Sequence, residues 1–271
     1  MSTSGRVVLL FVGALSAGTL TADIEKLPKL ELGMAIGSQY LADYRGSDEY
    51  NAKAIPVPFF VYRGERIKID RKGVRGELLS TPWWEVNVSG EVSLSGGAKD
   101  NEARLGMPEL DSTFELGPSL NFNLSGNSFD EGWMLRLPLR AVISFSTEGM
   151  DYIGSIFNPK FTYIREDIYK GWRFSTNIGG LYGSDDYHDY YYSVEPRFVQ
   201  SGRSAFNAES GFSGYYLKTS LGKRSGNWRY GLSVRYDNIG DASFADSPLV
   251  KSDNYFAVSF LLARYLWASD S

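Results

Sequence analysis

The chain has 271 residues, no cysteine, and 28 Lys+Arg against 32 Asp+Glu, for a net charge of −4. Without cysteine there is no disulfide, thiolate nucleophile or Cys-based metal site, and a slightly acidic balance gives no support for nucleic-acid binding, which wants a basic face. Aromatic residues make up 15 %, rich for a soluble enzyme and suited either to a membrane barrel with aromatic girdles or to an aromatic-rich soluble β-sandwich. Mean hydropathy is −0.25, and no window beyond the N-terminus reaches the roughly 20 apolar residues that a spanning helix needs.

Residues 1–22 read as a secretory signal peptide, with 23–271 as the mature protein. Arg6 supplies a positive start, Val7 to Leu15 form an uncharged apolar run, and Ser16, Ala17, Gly18 and Thr19 follow. Cleavage is expected after Ala22, although Leu20 fits poorly three places before the cut. The apolar run is too short for a helical anchor.

Beyond the leader, side chains alternate in segment after segment, as a strand with one apolar face requires. Lys29 to Leu41 alternates and enters a polar loop, Ala42 to Tyr50. Ala54 to Tyr62 is a strand carrying Pro56 and Pro58, two missing ladder donors that imply an edge, a bulge or a local break. Arg63-Gly64-Glu65 turns the chain into Ile67 to Asp70 and Val74 to Leu79, two strands or one bulged at Gly73. Trp84 to Leu94 and Thr113 to Leu124 alternate on either side of a long polar loop, Gly96 to Asp111.

Gly132 to Ser146 carries the clearest pattern. Trp133, Leu135, Leu137, Leu139, Ala141, Ile143 and Phe145 share one parity; Met134, Arg136, Pro138, Arg140, Val142, Ser144 and Ser146 share the other. An apolar outside and a charged inside is the signature of a transmembrane β-strand, and Pro138 should open a gap in the ladder beside the arginines. Tyr152 to Arg165, Trp172 to Tyr182, Tyr187 to Phe198, Phe212 to Gly222, Trp228 to Asn238 and Asn254 to Trp267 complete the series, with Arg197 to Gly211 a loop. The last ends on an aromatic residue, as outer-membrane strands do, though four residues follow it. The expectation is an all-β fold: one closed antiparallel transmembrane β-barrel of about twelve strands (ten to fourteen), without a helical layer. If the N-terminus lies inside, the short Arg63 and Lys223 to Asn227 turns are periplasmic. Gly96 to Asp111 then falls on the same side unless the count slips near Gly73.

Five motifs carry a resemblance. They are Asp43-Tyr44-Arg45-Gly46-Ser47-Asp48-Glu49-Tyr50, then Ile55-Pro56-Val57-Pro58 with Tyr62, Leu116-Gly117-Pro118-Ser119-Leu120, Arg136-Leu137-Pro138-Leu139-Arg140-Ala141, and Asp246-Ser247-Pro248-Leu249-Val250. In this order the chain resembles the MltA-interacting protein family (MipA/OmpV). The resemblance implies a barrel in the outer membrane of a Gram-negative bacterium, bathed in lipid and lipopolysaccharide. In the best-described member it also implies a scaffold joining a lytic transglycosylase to a bifunctional murein synthase, a penicillin-binding protein. Other members look like porin-like proteins. The family has no agreed catalytic motif, so the resemblance implies no catalytic residue and no cofactor.

Three clusters of polar residues stand out from the alternation. His188, the single histidine, follows Asp185 and Asp186 and precedes Asp189 and Tyr190 to Tyr192. It could serve as a base for a serine or as a weak metal ligand, but no nucleophile motif accompanies it. The favoured reading is a polar strand end or loop rim with belt tyrosines. Asp43, Asp48 and Glu49 read as a solvated loop able to bind Ca²⁺ or bridge lipopolysaccharide, since a loop cluster lacks the held separation of a glycosidase pair. Arg136 and Arg140 are candidate lumen residues, with Arg165 beside them. Salt bridges to Glu115 or Glu91 are favoured over a bare basic pore lining, because charges on the lipid face cost about 2–4 kcal/mol each. Two functions remain open: a docking scaffold for murein enzymes, and a narrow porin-like channel.

Overall fold

A computed structural model describes residues 28–64, 67–70, 73–93, 100–126, 128–147 and 149–269; the leader lies outside them. Thirteen strands form one sheet. They are β1 (Leu30–Ala42), β2 (Tyr50–Arg63), β3 (Ile67–Asp70), β4 (Gly73–Ser80), β5 (Trp84–Ser93), β6 (Ser112–Asn123), β7 (Gly132–Phe145), β8 (Met150–Phe157), β9 (Lys160–Tyr169), β10 (Trp172–Gly183), β11 (Gly211–Ser225), β12 (Trp228–Asn238) and β13 (Asn254–Ala268). Among the described residues one α-helix, α1 (Asp185–Tyr192), interrupts them. Sequence neighbours pair antiparallel, β1 pairs with β13, and β10 with β11, so the pairings run round a closed circuit. A closed barrel leaves no strand edge exposed.

β8 and β9 are halves of one arm. β7 pairs with both in a single register, Leu139 with Phe157 and Arg136 with Lys160. The break falls at Asn158-Pro159, opposite Pro138, where two prolines remove two donors. Only the Asn158 N–H bridges there, donating to the Pro138 carbonyl at 3.0 Å. With β8 and β9 taken as one arm, the thirteen strands make twelve.

The period-two pattern sorts inside from outside. On β1, Leu32, Met34, Ile36 and Tyr40 are exposed while Glu31 and Ala35 are buried. On β7, Trp133 and Leu139 are exposed while Met134, Arg140, Val142 and Ser144 are buried. An apolar exterior this extensive would be an aggregation surface in water and is the expected solvent contact in lipid.

Its two rims differ. All six tryptophans of the chain lie at one end: Trp83 and Trp84 beside the start of β5, Trp133, Trp172 and Trp228 at the starts of β7, β10 and β12, and Trp267 at the end of β13. Tyr and Phe ring the other end in stacked or tilted pairs, Tyr40 with Tyr50, Tyr182 with Phe212, and Tyr236 with Phe256. From Phe256 to Trp267, a strand tilted by ~40° rises ~28 Å along the barrel axis, close to the apolar band of such barrels. Trp267 belongs by count to the inward parity; the bulge between Leu32 and Gly33 turns it out to the rim.

One expectation is corrected and one open alternative is decided. Tyr187 to Phe198 is not a strand. It is α1 followed by a short 3₁₀ turn at Pro196–Phe198. Ser184 caps the helix by accepting from Tyr187 N–H, and Asp185 and Asp186 occupy its first turn, where carboxylates suit the positive helix end. Second, β3 and β4 are two strands, Asp70 pairing with Gly73. The number of arms stays at twelve because one lost strand offsets one gained. The sidedness changes, however: residues 100–111, which lead into β6, join 43–49, 184–210 and 239–253 at the Tyr/Phe end. The connections that follow β2, β4, β6, β9 and β11 all leave from the tryptophan end.

Candidate functional site: a plugged lumen

The long segments fold into the barrel mouth. Tyr44, Leu110, Tyr192, Val194, Ala208, Ile239, Ala242, Phe244 and Leu249 form one buried cluster drawn from four connections. Tyr192 and Phe244 stack with centroids 3.6 Å apart. Burying Phe244 alone contributes about 2–3 kcal/mol. Main-chain groups are satisfied by long-range side chains: Tyr44 donates to the Leu249 carbonyl (2.6 Å), Ser247 to the Tyr192 carbonyl (2.6 Å), and Tyr192 to the Arg45 carbonyl (2.9 Å). Arg203 clasps the Phe198, Ala103 and Leu105 carbonyls.

Below this cluster α1 lies against the inner wall. Tyr187, Tyr190 and Tyr191 pack on the inward-facing Val142, Ile153, Ile156, Leu181 and Tyr216. Gly154 makes room, since a Cβ there would meet the backbone of Tyr187. It has φ +116° at the bulge where β7 and β8 shift register, a conformation open to glycine.

His188 is the centre of the helix contact and is 0 % exposed. Nδ1 lies 2.6 Å from the Glu209 carbonyl and so carries the proton; Nε2 then accepts from Ser213 Oγ at 2.6 Å. The pair has the spacing of a nucleophile and base, but Ser213 is also 0 % exposed, and Phe244 packs its ring edge-on to the imidazole. The expected rim histidine with belt tyrosines is therefore a buried tie between α1 and β11. Burial pushes its pKa below the ordinary value, with the Glu209 carbonyl opposing and Arg45 adding to the fall. An unfolded histidine titrates near 6.5, so the plug keeps its full stability above about pH 6.5 and loses it as pH falls toward the lowered folded pKa. We expect proteolytic nicking of 184–210 to be several-fold faster at pH 5 than at pH 8 and the contrast to vanish in His188→Gln; equal rates in wild type would remove the titration argument.

Charge runs down the lumen beneath the plug. Arg45 reaches Asp237 (2.8 Å), which also holds Arg235 (2.6 Å). At mid-height Arg140 lies between Glu91 (2.9 Å) and Glu115 (2.7 Å). Those glutamates are register partners on β5 and β6, a like-charge opposition that repels unless a cation enters it. Near the tryptophan end Glu31, fully buried, holds Arg63 (2.6 Å) and Arg224 (2.6 Å). A cavity of about 760 Å³ occupies this lower half, walled by Gly37, Ser175, Ser220, Gly222, Ser233 and Ser259.

Arg136 is half-buried on the Arg140 face, with a terminal nitrogen 3.2 Å from the Met134 sulfur. Arg165 is exposed on the outer rim, 3.5 Å from Glu131. Asp43 is no solvated cluster member: it is buried, accepting from Asn51 (2.5 Å) and Asn101 (3.0 Å). Gly46 has φ +105° and its carbonyl accepts from Lys251 and Ser252, while Ser47 accepts from Asn101. Motifs two hundred positions apart thus meet in the plug, where Tyr44 bonds Leu249. Asp246 is exposed and Pro248 half-buried. Pro56 and Pro58 face outward beside Ile36 and Met34. Gly117 lies so close to β7 that a Cβ would meet the Leu139 carbonyl and Arg140; with Pro118 it leaves two ladder positions unpaired. Nothing in the sequence marks Asn101, Arg203, Asp237 or Ser213, and Arg45 stands out only as part of its motif. Only α1 had a local signal, the Ser184-Asp185-Asp186 start. Among the described residues no group of three His, Asp or Glu is placed to hold a metal.

Residues 32–265 match the family described as MltA-interacting protein MipA. No curated protein is significantly similar in sequence. Among solved structures the chain is similar to the outer membrane protein OprG from Pseudomonas aeruginosa, at 12 % identity and TM-score 0.25, covering 90 % of this chain and 99 % of that one. It is also similar to the Ralstonia pickettii toluene transporter TbuX, at 10 % identity and 0.26, covering 89 % and 74 %. A third is Pseudomonas aeruginosa OccK11 (OpdR), at 10 % and 0.23, covering 89 % and 96 %. Superpositions this loose say nothing about function.

Proposed function

The chain belongs to the MltA-interacting protein MipA family, and from that premise we propose that it is a non-enzymatic scaffold that gathers a murein hydrolase and a murein synthase at its periplasmic rim. It is a barrel of the outer membrane of a Gram-negative bacterium, where closed antiparallel barrels with two aromatic girdles reside. Short turns mark the periplasmic end of such barrels, which puts the tryptophan rim toward the murein. Export would follow from the leader read in residues 1–22.

The observation that carries the reading is the filled mouth. α1 and the cluster around Phe244 occupy the long-loop end, which leaves the short-turn rim as the surface facing murein. The family description supplies the partner class, a murein-degrading enzyme; a synthase completes the scaffold as the second guest. The test is retention on the immobilised, detergent-solubilised barrel of a purified lytic transglycosylase and a purified bifunctional penicillin-binding protein. Both should be retained, together and without competing. Retention of neither at micromolar concentration overturns the scaffold.

A further inference from the structure

We infer that the lower lumen is a binding site for a small oxyanion, a polycarboxylate or a phosphate ester, which enters from the short-turn end. Three observations converge on it. The cavity of about 760 Å³ is lined by Arg63, Arg173, Lys218, Arg224 and Arg229, with Asp130 and Glu166 as the acids of its lining. Arg63 and Arg224 share one carboxylate, Glu31, whose two oxygens both accept from them. Arg229 is the register partner of Arg224 across β11 and β12 and has no ion pair among the described residues.

Two guanidiniums share the one fully buried carboxylate of Glu31, and Arg229 stands directly opposite Arg224 on the neighbouring strand. Like charges directly opposed on neighbouring strands repel, and a second anion between Arg224 and Arg229 would relieve them. The guanidinium forks suit carboxylate or phosphate oxygens held bidentately. Arg173, held 2.7 Å from Glu166, adds a donor at the mouth. Ser220 and Ser233, bonded to each other at 3.1 Å, give hydroxyls deeper in, and Lys218 stands at the upper limit of the space, 4.0 Å from Glu91. The volume suits a ligand of small-molecule size. With the far end plugged, the site holds an anion rather than passing it. It does not depend on murein enzymes docking.

Titration calorimetry of the detergent-solubilised full chain with citrate, and separately with inorganic phosphate, tests this. Saturable one-site binding of at least one is expected, weakening as salt rises. Arg229→Gln should lower the affinity about tenfold or more, the loss of one charge-assisted contact, while keeping the heat-modifiable gel mobility of a folded barrel. Lys251→Gln, at the opposite end, should bind as wild type does. Tighter binding of citrate assigns a carboxylate ligand and tighter binding of phosphate a phosphate ligand; either upholds the site. No binding of either anion, or equal binding by Arg229→Gln, overturns it.

Discussion

Excising residues 184–210 should convert a closed barrel into a conducting one. Gly183 and Gly211 are register partners at the ends of β10 and β11, so an Asn-Gly turn can join them as a hairpin. The deletion removes α1, His188, Tyr192, Val194 and Ala208, and with them the contacts that hold Phe244 and Leu249 buried. Arg45 keeps its salt bridge to Asp237, but the segments above lose their common core. In planar bilayers the intact protein should give no resolved steps, and the variant should show conductance at least ~10-fold above that background. Twelve strands enclose more than the side-chain-filled interior of an eight-stranded barrel and less than a porin channel. Open steps from the intact protein would reject the plug. A folded but silent variant would mean that the mid-lumen charges fill the bore by themselves.

Replacing Arg140 should be the most destabilising single change in the barrel wall. The side chain is 6 % exposed and has both Glu91 and Glu115 as partners. Arg140→Leu leaves two carboxylates facing each other across β5 and β6. Removing one member of a buried ion pair costs about 3–5 kcal/mol; we expect about 3 kcal/mol here, because Glu91 retains water and has Lys218 at 4.0 Å. Urea unfolding in detergent should show the midpoint fall. The triple change Arg140→Leu, Glu91→Gln, Glu115→Gln should regain most of the loss, since it removes the stranded charge rather than restoring the bridge. A full-size loss in the triple variant would mean that Arg140 acts by filling volume, not by charge.

These two sites differ in how they could be read. Arg136 and Arg140 share a parity with Met134, Val142 and Ser144, and any strand must put that set on one face. Glu91 and Glu115 lie on polar parities for the same reason. That Arg140 would meet both glutamates required the order β5-β6-β7 and its register, which antiparallel neighbours joined by connections make natural. The plug had no such route. Tyr44 meets Leu249, and Asp43 meets Asn101, across 205 and 58 positions, and nothing periodic marks those contacts. Tyr190 to Tyr192 suggested a membrane belt because tyrosine suits an interface; they turn inward because Ser184 and the two aspartates start a helix where a strand was expected.

The wall is legible residue by residue: a two-residue period, breaks at Gly, Pro and Asn, an apolar outside, and arginines held within. Strand geometry is local, so alternation alone decides which face meets lipid. Packing between distant segments decided the mouth. There β3 and β4 are separate strands, which sends residues 100–111 to the Tyr/Phe end. Four irregular connections bury one core together with a histidine. Loop packing obeys no period, and its partners are fixed only after the barrel closes and brings the strand ends into one ring.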